Sequence, residues 1–325
     1  MKKFEYVEAG SIEEVLAHLN GDWNTRIIAG GTDLLHEMKN DIIAPTRIID
    51  IKGVDGLRSV IEKDGSLVIG SLVTLDEIEQ NDIILARLPI LKLAVSEAAS
   101  PQLRNMATLV GNICQRPRCW YYRNPEFPCL RKGGKRCFAV SGENAYHAIF
   151  GGGPCHIVCP SDAAPALVAL GASVVIRSST GAGREVLLED FFVGPRVDPH
   201  RENTLKPDEF IVEIHVPLRS DPARGVFLKA RERKVWDFAL ASVAAVVVCD
   251  GNTIEDANIV LGRVSPNPWR TSEAEDVLHG AEIDEALAGQ AARAAIRGAT
   301  PMRDNRHKSE LAKNLIMEAL RTIFG

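Results

Sequence analysis

The chain has 325 residues, long enough for two or three domains with cores of their own. Hydrophobic residues at 46% and charged residues at 25% are ordinary for a soluble globular protein. A formal net charge of −5 excludes nucleic acid as the main partner, because no basic excess offsets phosphates. No apolar run approaches the roughly 20 residues that span a bilayer.

In chain order, Ser11-Ile12-Glu13-Glu14 predicts a helix start, with a Ser N-cap and an acidic residue three positions on. Val15, Leu16 and Leu19 continue it at helical spacing. Residues 26–29 predict a strand ending in Gly30-Gly31-Thr32-Asp33, then an amphipathic segment through Leu34, Leu35 and Met38. A strand at 47–51 closes a compact unit near residue 52. Next come a strand at 67–71, helices from Thr74 and through 91–95, and a strand at 172–176. That strand turns at 179–183 and resumes at 185–188. Gly181 and Gly183 raise a nucleotide loop, but no helix follows them, so a hairpin is preferred. Residues 211–217 alternate with period two, as a strand does. After a polar connector at 221–225, strands near 226–230, 240–249 and 257–264 precede helices at 272–279, 282–295 and 307–323, the order of an α+β domain.

Six of the seven cysteines lie between Cys114 and Cys159; the other, Cys249, follows an apolar run and reads as packing. The start gains Glu5 and Glu8 instead of an apolar core, so no secretory signal is expected. The expected compartment is the cytoplasm, or the periplasm only if a partner carries the export signal. In a reducing compartment, clustered thiols serve metals or redox chemistry more often than disulfides. Residues 114–157 read as a long loop without regular structure, a feature that is usually functional or disordered. Cys119, Cys129, Cys137 and Cys155 are best placed as ligands, with 9, 7 and 17 residues between them. Cys-x-x-Cys knuckles of a structural zinc site are absent, whereas an iron–sulfur cluster needs only four thiolates that meet in space. Spacing leaves cluster, zinc, and structural or redox thiols all open. Cys114 and Cys159 read as small buried hydrophobes, and His147 and His156 as residues that stabilise or cover the site.

Ala29-Gly30-Gly31-Thr32-Asp33 sits between strand and helix, where glycines allow close backbone approach and successive amides suit a pyrophosphate. A second loop, 100–112, supplies small hydrogen-bonding residues just before the cysteines. Taken singly, each loop is also explained as a tight turn.

Together and in order, these segments resemble the FAD-binding medium subunit of the molybdenum hydroxylases, the xanthine dehydrogenase and carbon monoxide dehydrogenase family. The likeness rests on Ala29-Gly30-Gly31-Thr32-Asp33-Leu34, Ile69-Gly70 with Thr74-Leu75, and Gln102-Leu103-Arg104-Asn105 leading to Thr108-Leu109-Val110-Gly111-Asn112. It continues through Pro160-Ser161-Asp162, Lys229-Ala230-Arg231, Trp236-Asp237-Phe238-Ala239 and Pro266-Asn267-Pro268-Trp269-Arg270, and so covers essentially the whole chain. The resemblance implies an α+β fold. A two-part FAD-binding domain of the vanillyl-alcohol-oxidase-like (PCMH) type would occupy 1–52 and 53–218, with a small C-terminal α+β domain at 222–325. It implies that Ile27, Ile28, Ala29, Gly30, Gly31, Thr32, Asp33 and Leu34 hold the FAD diphosphate. Ser100, Thr108, Val110, Gly111 and Asn112 would form the second FAD loop, with Asp162, Ile211 and Lys229 as further flavin contacts. The usual second loop is Thr-Leu-Gly-Gly-Asn; Val110 replaces its first Gly and disfavours positive φ there.

Most such subunits run straight from that Asn to Pro-Ser-Asp, and the about forty extra residues here resemble a subgroup with an additional [4Fe–4S] cluster. That subgroup includes the 4-hydroxybenzoyl-CoA reductase β subunit and the flavin subunits of certain bacterial aldehyde oxidoreductases. The match selects the same four cysteines. It implies an electron relay with no catalytic residue of its own, between a small [2Fe–2S] partner and a ferredoxin-like or other carrier. Substrate chemistry would lie in a large molybdopterin-binding partner, within a dimer of heterotrimers. The other readings are the flavin subunit of an aldehyde or xanthine dehydrogenase-type complex, a stand-alone FAD oxidoreductase, and a zinc-stapled scaffold. Against the stand-alone enzyme, the eight histidines are dispersed and form no acid/base constellation.

Overall fold

The computed structural model describes residues 1–219, 221, 223–234, 236–284 and 286–325. The first fifty residues alternate as β1 (Glu5–Glu8), α1 (Ile12–His18), β2 (Thr25–Ile28), α2 (Leu34–Lys39) and β3 (Arg47–Asp50). The strands form a parallel sheet, β1-β3-β2, and parallel neighbours need the crossovers that the helices supply. Ser11 caps α1 through the Glu14 amide, as expected. The Glu14 carboxylate, however, turns back to the Gly10 amide at 2.7 Å. The reciprocal capping box forms at Thr74 and Glu77 instead.

The second unit carries β4 (Val60–Lys63), β5 (Ser66–Gly70), α3 (Leu75–Gln80), α4 (Asp82–Arg87), α5 (Pro89–Ser96), α6 (Pro101–Arg104), α7 (Leu109–Ile113) and α8 (Trp120–Arg123). It ends with α9 (Ala163–Ala169), β6 (Ser173–Ser178), β7 (Gly183–Leu187), α10 (Leu188–Phe191) and β8 (Glu209–Pro217). Its five strands are antiparallel in the order β4-β5-β8-β6-β7. The glycines at 181 and 183 do belong to a hairpin, between β6 and β7.

The cysteine segment departs from the expected structureless loop. It contains α8, two 3-10 turns (Leu130–Lys132 and Phe138–Val140), and a parallel bridge between Cys129 and Arg136. Elements of three or four residues are too short to leave a periodic signal. Side-chain packing orders them: Tyr121, Phe127 and Phe138 contact one another at centroid distances of 5.1–6.0 Å.

The third unit comprises β9 (Ala223–Ala230), β10 (Ala241–Asp250), β11 (Thr253–Gly262), β12 (Trp269–Arg270), α11 (Ser272–Leu278), α12 (Leu287–Ala295) and α13 (His307–Phe324). Its antiparallel sheet is ordered β12-β11-β10-β9. The predicted polar connector at 221–225 is partly strand, since β9 begins at Ala223. The predicted helix at 282–295 starts late because Glu282 bridges to Thr253 and the Ile283 amide bonds to Asn252. The run in β10 is continuously apolar because both its faces are buried. Ala244 and Val246 enter the core around α9, whereas Val243, Ala245 and Val247 enter the core under α11–α13. Cys249 packs against that second core. Among the described residues, no helix is long and apolar enough to cross a membrane.

Candidate functional site

A cavity of ≈1010 Å³ is lined by both the first and second units. The end of β2, the loop after it and the start of α2 line it through Ile27, Ile28, Ala29, Gly30, Gly31, Thr32, Asp33 and Leu34. The first turn of α7 contributes Thr108, Val110, Gly111 and Asn112, and Asp162 and Ile211 complete the sequence-derived set. Gly30 joins the two loops, because a Cβ there would lie 1.7 Å from the Met106 carbonyl oxygen. Gly31 adopts φ +70°, where side chains are strained. Thr108 Oγ1 accepts from the Gly111 amide at 3.0 Å and so caps α7. Val110 lies inside that helical turn and is not a positive-φ residue. The substitution therefore costs no backbone strain.

Two of the expected flavin contacts do not line the cavity. Ser100 caps α6 by accepting from the Leu103 amide. The Lys229 amine is buried behind Asp162, donating to Asp162 Oδ2 and to the Glu97 carbonyl, each at 2.7 Å. Burial pushes the Asp162 carboxyl up, and Lys229 opposes that shift. Asp162 Oδ1 is buried without a partner on a residue that lines the cavity. Lys229 thus acts on the cavity through Asp162.

No local pattern indicates how the cysteine segment grips the first loop. Asp33 does not cap its own helix. Its carboxylate receives the Arg116 amide at 2.7 Å and the side chains of Arg118 and Arg123, each at 2.8 Å. Tyr122 donates to buried Glu37 at 2.6 Å. Arg116, Arg118, Trp236 and Phe238 also line the cavity, and Arg118 stacks over Phe238 at 5.3 Å.

Cys119, Cys129, Cys137 and Cys155 line one small enclosed cavity of ≈10 Å³, with Tyr121, Tyr122, Leu130, Arg131, Phe138, His147 and Ile157. All four thiols are free. Cys119, Cys129 and Cys137 each stand at the N-cap position of a short helical turn. The amides of Tyr122 and Tyr121 face the Cys119 sulfur, although burial outweighs them and pushes that thiol up to about 11. A hydrogen bond from Cys137 lowers Cys155 to about 6, and the Arg131 charge adds to the shift. His147 Nε2 lies 3.3 Å from Cys119 Sγ. Burial first, then the charges of Lys308 and His156, depress His147 to about 4, so the ring is neutral at pH 7. Its Nδ1 is buried. Among the described residues, no three His, Cys, Asp or Glu side chains are set to hold a single metal ion. Cys114 and Cys159 lie outside this cavity; Cys114, half-buried, borders the large one and Cys159 is in the apolar core.

The two cavities are close neighbours. Tyr122 and Arg131 line the thiol cavity, and each bonds a carboxylate, Glu37 or Glu202, that lines the large one.

A glycine-loop cavity shared by a small parallel sheet and a larger antiparallel one is the architecture of a flavin-binding subunit. Residues 2–219 match the FAD binding domain in molybdopterin dehydrogenase, and residues 226–324 match the CO dehydrogenase flavoprotein C-terminal domain. The chain belongs to the FAD-binding medium subunits of the molybdenum hydroxylases, which serve as oxidoreductase subunits of multi-subunit enzymes. It is 33% identical to the aldehyde oxidoreductase FAD-binding subunit PaoB of Escherichia coli, over 98% of each chain. It is 29% identical to the glyceraldehyde dehydrogenase medium chain of Sulfolobus acidocaldarius, over 99% of this chain and 98% of that one. Among solved structures, carbon monoxide dehydrogenase from Hydrogenophaga pseudoflava superposes with a TM-score of 0.80 at 26% identity, covering 99% of this chain and 98% of that one.

Proposed function

We propose that this chain is the electron-relay subunit of an aldehyde-oxidising molybdenum hydroxylase, carrying FAD and one [4Fe–4S] cluster. Substrate would react in a large molybdopterin-binding partner, and a small [2Fe–2S] partner would connect that centre to the flavin. The aldehyde class is favoured over a 4-hydroxybenzoyl-CoA reductase by the names of two relatives that match almost end to end. The FAD-contact set is Ile27 to Leu34, Thr108, Val110, Gly111, Asn112, Asp162 and Ile211, with Lys229 and Ser100 in support. FAD, when bound, supplies the junction between one-electron and two-electron carriers.

The chain's own residues hold and shield that junction. Gly30 lets the two loops meet, Thr108 fixes the α7 amides, and Lys229 opposes the burial that pushes the Asp162 carboxyl up. The observation that supports the cluster is the convergence of four otherwise unused thiols on one small cavity. Those donors fit a thiolate-ligated iron–sulfur group, which exchanges one electron at a time.

The test is the iron, sulfide and flavin content of the anaerobically purified chain. Four irons, four sulfides and one FAD per chain are expected, with iron lost in Cys129→Ser. Stoichiometric zinc without iron would reject the cluster; turnover of an aldehyde by the isolated chain would reject the relay.

A further inference from the structure

Neither the flavin loops nor the thiol ligands explain Arg131. Its side chain is fully buried, in the 3-10 turn two residues after Cys129. Nη1 pairs with Glu202, whose other oxygen lies 3.0 Å from Arg116 Nε. The remaining nitrogens, Nε and Nη2, are buried without a well-formed hydrogen bond, on a side chain that lines the thiol cavity and acts on the Cys155 thiol there. Idle donors on a buried cation are costly, and a charged acceptor in that cavity removes the cost. The charges point the same way. One Glu202 carboxylate is shared by Arg131 and Arg116, so the Arg131 charge that lines the thiol cavity is only partly offset and suits an anionic occupant.

We propose that Arg131 is a positioning residue that sets the reduction potential of the group held by Cys119, Cys129, Cys137 and Cys155, donating from Nε and Nη2 to its sulfurs. The proposal rests on the iron–sulfur reading above. Reduction adds one electron, and hence one negative charge, to a dry site. A fixed cation and hydrogen bonds to sulfur both favour the reduced form and raise the potential. Lys132, in the same turn, is only half buried, and water screens its charge more strongly.

The test is a redox titration of the full chain with dithionite, followed by electron paramagnetic resonance, on samples with four irons per chain. Arg131→Gln should disfavour reduction at least tenfold, a fall of about 59 mV for one electron. Arg131→Lys and Lys132→Gln should each change the ratio less than threefold. An iron-loaded Arg131→Gln chain with the wild-type potential overturns the proposal. If Arg131→Gln does not load iron, Glu202→Gln frees Arg131 from its counter-charge and must raise the potential; no change or a fall overturns it. Wild-type chain without iron would reject the cluster reading itself, an outcome distinct from an unmoved potential in a loaded variant.

Discussion

At the scale of single residues, two positions decide how the first unit is held. Gly30 permits a contact that no side chain tolerates, since the obstructing atom 1.7 Å from its Cβ position is backbone. Gly30→Ala must push the two flavin loops apart. FAD affinity should fall at least about tenfold, some 1.4 kcal/mol, read from the flavin absorbance of the purified chain and from titration with FAD. Asp50 at the end of β3 is the second. Burial disfavours its charge, but bonds from Lys52 and Tyr6 outweigh burial and hold the carboxyl below its usual value. A depressed acid stabilises the fold above the unfolded-state value and loses that contribution as pH falls through the folded value. Asp50→Asn should therefore lower the unfolding midpoint in urea at pH 7. That gap should begin to narrow as pH falls below about 4. A gap that does not narrow at all on acidification would show that the bonds do not depend on the charge. Gly30 was legible in the sequence as a loop glycine. Its neighbour Met106 was not, because the contact joins residues far apart in the chain.

Among elements, the cysteine segment is the one that sequence reading misjudged. Its turns are ordered by other parts of the chain: Arg116, Arg118 and Arg123 surround Asp33, and Tyr122 reaches Glu37. A segment first read as an insertion into the second unit is thereby a clamp on the glycine loop of the first. Arg118→Ala with Arg123→Ala should leave Asp33 held by one amide and weaken FAD binding by about tenfold, roughly the loss of one charge-assisted bond of 1.5–3 kcal/mol. Single variants should each lose less. The comparison is an FAD titration at matched iron content. Unaltered affinity in the double variant would mean that the clamp is not needed to shape the loop. The four ligand candidates were separable from Cys114 and Cys159 by loop context alone. Their convergence on one cavity depends on three short turns that carry no periodic signal.

Across the whole molecule, the same segment binds the third unit as firmly as the first. Ile149 and Phe150 belong to the C-terminal core, and Phe150 stacks on Trp269 at 4.9 Å. Lys308 on α13 is buried and donates to the carbonyls of Tyr146, His147 and Arg263. Burial, then the Arg263 charge, drives its pKa well down. Lys308→Met should leave buried carbonyls unpaired and lower stability by about 1–3 kcal/mol in thermal or urea unfolding. It should also loosen the His147 segment beside Cys119, so iron should be lost at a lower urea concentration than in wild type. Simultaneous loss of iron and fold in both proteins would argue against that link. The sequence by itself determined the order of most elements, the glycine loop that lines the large cavity and the four cysteines that line the small one. Those features are carried by local propensity, glycine placement and motifs read along the chain. Only the tertiary structure decided that Lys229 works through Asp162, that Val110 sits in a helix, and that the cysteine segment ties all three units together. These are contacts between residues distant in sequence, made by buried charges whose partners no local pattern names.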